Sequence, residues 1–210
     1  MSKRLIHRLV LASGNQGKLR EINQLLAGLH IEALPQTELK VPDVEETGLT
    51  FVENAIIKAR NAATHAGLPA LADDSGIEVD ALNGQPGIYS ARYAGKGASD
   101  QDNLDKLLDA LKDVPEENRS ARFQCVVVYM THANDPTPII CQGTWEGHIL
   151  HAPRGDNGFG YDPVFYVPTH QCSAAELESD VKNRLSHRGQ ALKKLLAALE
   201  ALNKNQQHNQ

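Results

Sequence analysis

Two adjacent carboxylates stand at the end of a short apolar run in Leu71-Ala72-Asp73-Asp74-Ser75-Gly76, and any fold this chain adopts has to place them. In an extended segment successive side chains point to opposite faces, so at most one of Asp73 and Asp74 can face the interior while the other faces a cleft. Ser75-Gly76 is then expected to turn the chain and to supply backbone N–H groups. A carboxylate fixed on such a scaffold can hold a divalent cation or take a proton from water. The plainer alternative is an Asx-turn that ends a strand.

At 210 residues, with 41% hydrophobic and 22% charged residues, the chain has the composition of one sizeable globular domain or of two lobes that share a core. No apolar run approaches the roughly 20 residues of a membrane span. Residues 3–12 faintly imitate a signal peptide, but His7 and Arg8 interrupt the apolar segment, and the stretch reads as a first strand. Cys125, Cys141 and Cys172 have no metal-ligand spacing and are odd in number, which suits buried thiols in a reducing cytoplasm and no disulfide. A formal charge of -5 speaks against a nonspecific nucleic-acid binder, which needs an extended basic surface. A small phosphorylated ligand needs only a few local cations.

Residues 9–12 read as a buried strand that runs into Ser13-Gly14-Asn15-Gln16-Gly17-Lys18, ahead of a helical pattern at Leu19, Ile22, Leu25, Leu26 and Leu29. Two glycines, a helix N-terminus and a lysine suit an anion such as phosphate; a plain turn with a solvated lysine is the alternative. It is not a Walker A loop, because Ala12 holds the place of the first glycine and Leu19 that of the Ser or Thr. A second strand is expected over 31–34, followed by an acidic cluster at Asp43, Glu45 and Glu46. Thr50 and Glu53 have capping-box spacing for a helix with the stripe Val52, Ala55, Ile56, Ala59 and Ala63, closed by Gly67. Asn54, Lys58 and Asn61 fall on its polar face. Glu46, Lys58 and Asp74 can then converge on one cleft.

Past the acids, Ile77 and Val79 suggest a short strand, and Asn83-Gly84-Gln85-Pro86-Gly87 a turn. Arg92 can meet a ligand or a surface acid. Ser99 caps a helix bearing Leu104, Leu107, Leu108 and Leu111 that reads as structural. Two β-rich runs, 123–130 and 139–143, form a hairpin that gives the sheet an antiparallel part. Trp145 reads as core. In Asp156-Asn157-Gly158-Phe159-Gly160-Tyr161-Asp162-Pro163 the Phe159 ring either tucks into the core or stacks on a nucleobase whose edge Asp162 reads. Ser173 and Glu176 form another capping box, with Lys182 near the end of its helix. His187 and Arg188 open the last helix, whose stripe is Leu192, Leu195, Leu196, Leu199 and Leu202. Cations there oppose the helix dipole, as expected of residues that serve a ligand, although a plain exposed histidine is the alternative. Residues 203–210 read as a polar, disordered tail after a single two-lobed domain over 1–202.

Taken together, Ser13-Gly14-Asn15-Gln16-Gly17-Lys18, the run from Glu45 through Thr50 and Asn54 to Ala55, Ala72-Asp73-Asp74-Ser75-Gly76, Pro86-Gly87-Ile88-Tyr89-Ser90-Ala91-Arg92, Gly158-Phe159-Gly160-Tyr161-Asp162-Pro163 and Ser186-His187-Arg188-Gly189-Gln190-Ala191-Leu192 occur in an ordered set. That set resembles the inosine triphosphate pyrophosphatase family, in particular the bacterial dITP/XTP pyrophosphatases, from about Leu9 to about Leu199. The resemblance implies an α/β fold with a mixed, elongated sheet flanked by helices in two lobes around a central cleft. It also implies a cytoplasmic homodimer that acts on a small-molecule substrate, with no nucleic-acid or membrane partner.

The implied reaction is Mg²⁺-dependent hydrolysis of the non-standard purine nucleoside triphosphates ITP, dITP and XTP to monophosphate and pyrophosphate. In this pattern Asp74 activates water and helps hold the metal, and Glu46 is the other ligand, with Glu45 and Asp73 as neighbours that share their chemistry. Residues 13–18 and Lys58 hold the triphosphate and Ser75 touches substrate. Phe159, Gly160, Tyr161, Asp162, Lys182, His187 and Arg188 receive the base. A phosphatase of another phosphorylated metabolite and a non-catalytic nucleotide-binding regulator are the alternatives.

Overall fold

The computed structural model of the chain describes residues 7–207, save the side chains of Glu21 and of residues 203–207. Residues 3–6 of the N-terminal stretch and residues 208–210 of the expected tail lie outside the described residues. The chain runs β1 (Arg8–Leu11), α1 (Gln16–Leu26), β2 (Glu32–Pro35), α2 (Phe51–Ala66), β3 (Ala70–Val79), α3 (Asp100–Ala110), β4 (Ser120–Met130), β5 (Ile139–Ile149), β6 (Phe165–Val167), β7 (Cys172–Ser173), α4 (Ser179–Leu185) and α5 (His187–Gln207), with short 3-10 turns between some of them. The strands form one sheet in the order β2-β1-β3-β4-β5-β6-β7. It is mixed, as expected: β1 is parallel to β2 and β3, whereas β6 is antiparallel to β5 and β7. Leu9, Val10 and Leu11 are all buried, which is why β1 reads as an unbroken apolar run rather than an alternating one.

The chain divides into two compact units. The first holds the chain through Asp74, Val126–Gln142 and the chain from Ala191 onward; the second holds Ser75–Cys125 and Gly143–Gln190. In the first, Ala55, Ala59, Ala62 and Ala63 of α2 pack on Val10, Ala70, Ala72, Val126 and Val128 of β1, β3 and β4. Alanines along that face bring the helix close to the sheet. In the second, Leu104, Leu107 and Leu111 of the α3 segment share a core with Ile77, Val79, Phe123, Trp145 and Phe165. Trp145 is core, as its sequence context suggests, with its ring 5.2 Å from that of Phe165. The three cysteines are free thiols.

Four expectations are corrected. β3 continues through Ser75 and Gly76 to Val79, because pairing beside β4 satisfies its backbone groups in the ladder, and this outweighs a local turn preference. The Ser173–Glu176 capping box forms, but on a three-residue 3-10 turn; Leu177, extended and buried in the second core, ends it, and Lys182 belongs to the separate α4. α5 continues through residues 203–207, where no Gly or Pro stops a helix that gains one hydrogen bond per added residue. Asn54, placed on a polar face, is wholly buried.

One buried cation ties the second unit together. Arg119, 1% exposed, precedes β4 and donates to four carbonyls, those of Ile149 at 2.8 Å, Leu150 at 2.9 Å, Leu111 at 2.6 Å and Val114 at 3.3 Å. It thereby closes the C-terminal end of α3 and the end of β5. Burial depresses the guanidinium pKa, yet it stays charged because its ordinary value is so high. Removing it strands several buried carbonyls, so Arg119→Ala should lose roughly 3 kcal/mol or more in urea unfolding, with no rescue by Arg119→Lys, whose compact ammonium lacks the fork.

On the opposite face of β4, Arg122 forks onto Asp80 at 2.7 and 2.9 Å and reaches Glu146 at 3.1 Å. The Arg122 and Ser120 hydrogen bonds hold the Asp80 carboxyl down to about 2. A depressed carboxyl stabilises the fold above its unfolded pKa of ~3.9 and stops doing so as the pH falls through the folded value. Asp80→Asn should therefore be slightly less stable than the parent at neutral pH, with the gap in unfolding midpoint closing between about pH 4 and pH 2.

Candidate functional site

The two adjacent acids of β3 each find a lysine. Asp73 accepts Lys18 of α1 through both oxygens, at 2.8 and 2.9 Å. Asp74 accepts Lys58 of α2 on Oδ1 at 2.8 Å, and Lys58 also pairs with Glu46 at 3.0 Å. Glu46, Lys58 and Asp74 thus converge as expected, while Lys18 is brought to Asp73. Three carboxylates against two ammonium groups leave this five-residue set with one negative charge in excess.

Burial is the largest influence on Asp74 and pushes its carboxyl above the usual carboxylate range, with Lys58 offsetting part of the shift. Burial works against the charge of Lys58 as well, but Asp74, Asp73 and Glu46 together outweigh it and raise the ammonium. One lysine facing several acids stays protonated; Asp74, sharing that lysine with Glu46, bears the strain of the excess charge. Its Oδ2 is buried and has no hydrogen-bond partner. An acceptor left open in this way is an unusual cost in a folded protein and suits a ligand.

α2 also fixes the loop that carries Glu46. Thr50 caps the helix, Glu53 Oε2 accepts the Leu49 N–H at 2.9 Å, and Asn54 Oδ1 accepts the Gly48 N–H at 2.8 Å. At the other end of the loop Asn61 donates to the Pro42 carbonyl at 2.7 Å.

In Ser13-Gly14-Asn15-Gln16-Gly17-Lys18 the expected loop is partly helix. Asn15 is the N-cap of α1 and accepts from the N–H groups of Gly17 and Lys18 at 2.8 and 3.1 Å, and Ser13 Oγ accepts the Asn15 N–H. Gly14, Asn15, Gln16 and Gly17 are exposed. Ser75 is half-buried on β3, next to Asp74.

The second unit holds the aromatic set. Phe159 is 63% exposed, so the ring does not tuck into the core. Lys182 lies 5.0 Å and Arg188 5.9 Å from its ring centre. Asp162, expected to read a base edge, is buried, and its Oδ2 accepts the Phe159 N–H at 2.8 Å and pairs with Lys182. The Gly160 N–H donates to Asp100 at 2.9 Å, and the Tyr161 hydroxyl, itself buried, donates to the Ser90 carbonyl at 2.8 Å. His187 is not a plain exposed histidine; it is buried and stacks on Phe123 with ring centres 4.7 Å apart and planes 10° from parallel.

The Ham1 family model matches residues 9–198. The chain belongs to the Ham1 family. A dITP/XTP pyrophosphatase of Vibrio cholerae is 63% identical over 193 residues, spanning 92% of this chain and 96% of the relative. Among solved structures, a HAM1 protein from Coxiella burnetii aligns with a TM-score of 0.90 at 57% identity, covering 93% of this chain and all of the other. The Ham1 protein of Staphylococcus aureus aligns at 0.85 with 43% identity, over 92% of this chain and 98% of its own.

In this Ham1 chain the sequence motifs include Asn54 and Ser90 but give them no contact of their own, and the engagement of Asp100 and the pairing of Asp73 with Lys18 were not foreseen. Only Asn54 left a local signal, being one helical turn before Lys58 and six residues after a glycine. The start of α5 depends on another glycine. A Cβ on Gly189 would lie 1.7 Å from the Asn183 carbonyl oxygen of α4, so the two helices meet backbone to backbone beside His187 and Arg188. Gly189→Ala should cost roughly 1–3 kcal/mol in chemical unfolding and shift the His187 ring proton resonances as the Phe123 stack is disturbed.

Proposed function

We propose that this chain hydrolyses non-standard purine nucleoside triphosphates, ITP, dITP and XTP, to the nucleoside monophosphate and pyrophosphate. The observation that carries the chemistry is the Glu46–Lys58–Asp74 cluster, with its open, buried Asp74 oxygen, in a chain of the Ham1 family. Asp74 takes the proton of the attacking water on Oδ2, while Lys58 holds Oδ1 and fixes the orientation of the carboxylate. The bond broken is the anhydride between the α- and β-phosphates. Pyrophosphate leaves readily once its developing charge is met, and Lys18, Lys58 and the α1 N-terminus over Ser13, Gly14, Asn15, Gln16 and Gly17 meet it.

Mg²⁺ is the proposed cofactor. Among the described residues no three His, Cys, Asp or Glu side chains group into a metal cage. Mg²⁺ does not need one, since it is commonly held by one or two carboxylates with substrate phosphates and water completing its shell. Glu46 and Asp74 fit that donor set, and the excess negative charge around them favours a cation. When bound, it would neutralise phosphate charge and acidify a bound water.

Phe159 offers an exposed face on which a flat base can stack, and Lys182 and Arg188 stand at its ring. Inosine and xanthine carry a 6-oxo group where adenine carries an amino group, so a donor such as Arg188 or a loop N–H rejects adenine by being left unpaired. Gly160 and Tyr161 shape this loop, Asp162 holds it to Lys182, His187 backs it, and Ser75 contacts substrate near Asp74. The reading extends to a single functional domain over residues 1–202 that works as a cytoplasmic homodimer on a small molecule, without nucleic acid or membrane. Among the described residues no helix is long and apolar enough to cross a membrane.

Incubation with ITP, GTP and ATP, followed by mass-spectrometric identification of products, is the test. IMP and pyrophosphate should appear from ITP, with GTP and ATP largely spared and EDTA silencing the reaction. Asp74→Asn should lower turnover by a factor on the order of 10²–10⁴ while ITP still binds. Release of IDP and phosphate would make the chain a phosphatase, and tight ITP binding without any product would make it a regulator.

A further inference from the structure

Asn54 is wholly buried at the fourth position of α2, yet its amide Nδ2 has no hydrogen-bond partner. A helix packed through alanines would accept a small apolar residue there without stranding a donor, so the amide is not explained by packing. Its other end explains it. Oδ1 accepts the Gly48 N–H at 2.8 Å, and the contact is so close that a Cβ on Gly48 would fall 2.7 Å from that same oxygen and 2.6 Å from the Glu53 Cβ. The backbone of the loop thus rests directly on the helix at one residue, two positions after Glu46.

Asn61 holds the far end of the loop at the Pro42 carbonyl, and three further attachments from α2 follow near Glu46. Lys58 holds the Glu46 side chain, Asn54 holds the Gly48 backbone, and Glu53 holds the Leu49 backbone. Glu53 is exposed, and water can substitute for its bond. Lys58 is shared with Asp74 and cannot by itself fix where Glu46 lies. The Asn54 bond comes from a wholly buried side chain, and it acts on backbone rather than on a mobile side chain. Without it the Gly48 backbone would lose its direct hold on α2 while the Glu46–Lys58 pair stayed intact.

We propose that Asn54 is the positioning residue of the acidic site: by clamping Gly48 it sets the Glu46 carboxylate against Asp74, and so sets the divalent-cation requirement of the enzyme. This rests on the reading of Glu46 as a metal-binding carboxylate. The test compares Asn54→Ala, which removes the acceptor, with Asn54→Asp, which keeps an oxygen for the Gly48 N–H. In Asn54→Ala the Gly48 amide of the nucleotide-free protein should exchange about tenfold faster, the factor that one ordinary hydrogen bond represents. The Mg²⁺ concentration for half-maximal ITP hydrolysis should rise by a similar factor, roughly tenfold, with KM for ITP at saturating Mg²⁺ changed less than about threefold. Asn54→Asp should keep the Gly48 amide near the parental rate.

Unchanged Gly48 exchange in Asn54→Ala would overturn the clamp, and faster exchange with an unaltered Mg²⁺ requirement would overturn its consequence. An Asn54→Asp protein as loose at Gly48 as Asn54→Ala would overturn the role of the acceptor, and this arm together with Asn54→Ser stands in if the alanine variant does not fold. Failure of the parent protein to hydrolyse ITP would sink the functional reading alone, since the exchange measurement needs no substrate.

Discussion

The Lys58 ammonium, held between Asp74 and Glu46, is the interaction on which the acidic site depends. Without a cation there, two acids from separate segments would repel one another in a half-buried setting, and the neighbouring Asp73 would add to the repulsion. Lys58 reaches both because it lies on α2, whose alanine face brings it close to the strand that bears the acids. The same proximity that packs the first core delivers the lysine. Three carboxylates against two ammonium groups leave the balance one negative charge in excess, an electrostatic setting that favours a further cation.

Close backbone approach is the second device, and it recurs wherever a functional loop is anchored. Gly48 rests on α2, Gly158 at φ 82° leaves room for the Asp162 carboxylate, and Gly189 lies against the backbone of α4. In each case a buried or polar side chain takes a backbone N–H beside the glycine or shares its helix start. Asn54 holds Gly48, Asp162 holds Phe159, and Ser186 Oγ accepts the Gly189 N–H at 3.2 Å. Rigid loops built in this way present Glu46 and Phe159 without needing large elements of their own, and the same device sets the start of α5 that carries Arg188.

Much of this was legible in the chain. The strand at β1, the caps of α2 at Thr50 and Gly67 and of α3 at Ser99, the turn at Asn83-Gly84 and the leucine face of α5 all formed where local spacing placed them. These are signals of short range, carried by side chains within a turn or two of their target. The meeting of Glu46, Lys58 and Asp74 was legible for the same reason, since one capped helix leads directly into the strand that bears the acid. Local chemistry misled where a partner distant in sequence outcompeted it. Ser75-Gly76 has turn residues, but β4 draws it into a ladder; Asp162 reads locally as an open carboxylate, but Lys182 and the Phe159 N–H engage its Oδ2.

The sequence by itself determined the class of the protein: the order of its motifs, the pairing of glycine loops with lysines and acids, and a charge and hydropathy balance that suits a small phosphorylated substrate. Those properties reside in residue identity and spacing, which survive without coordinates. Only the tertiary structure decided that Asp73 meets Lys18, that one Asp74 oxygen is left open, that Asn54 is buried beneath Gly48, and that Arg119 gathers four carbonyls separated by up to 39 positions of chain, from Leu111 to Leu150. Burial and hydrogen-bond completion are properties of the packed whole, and no local pattern encodes them.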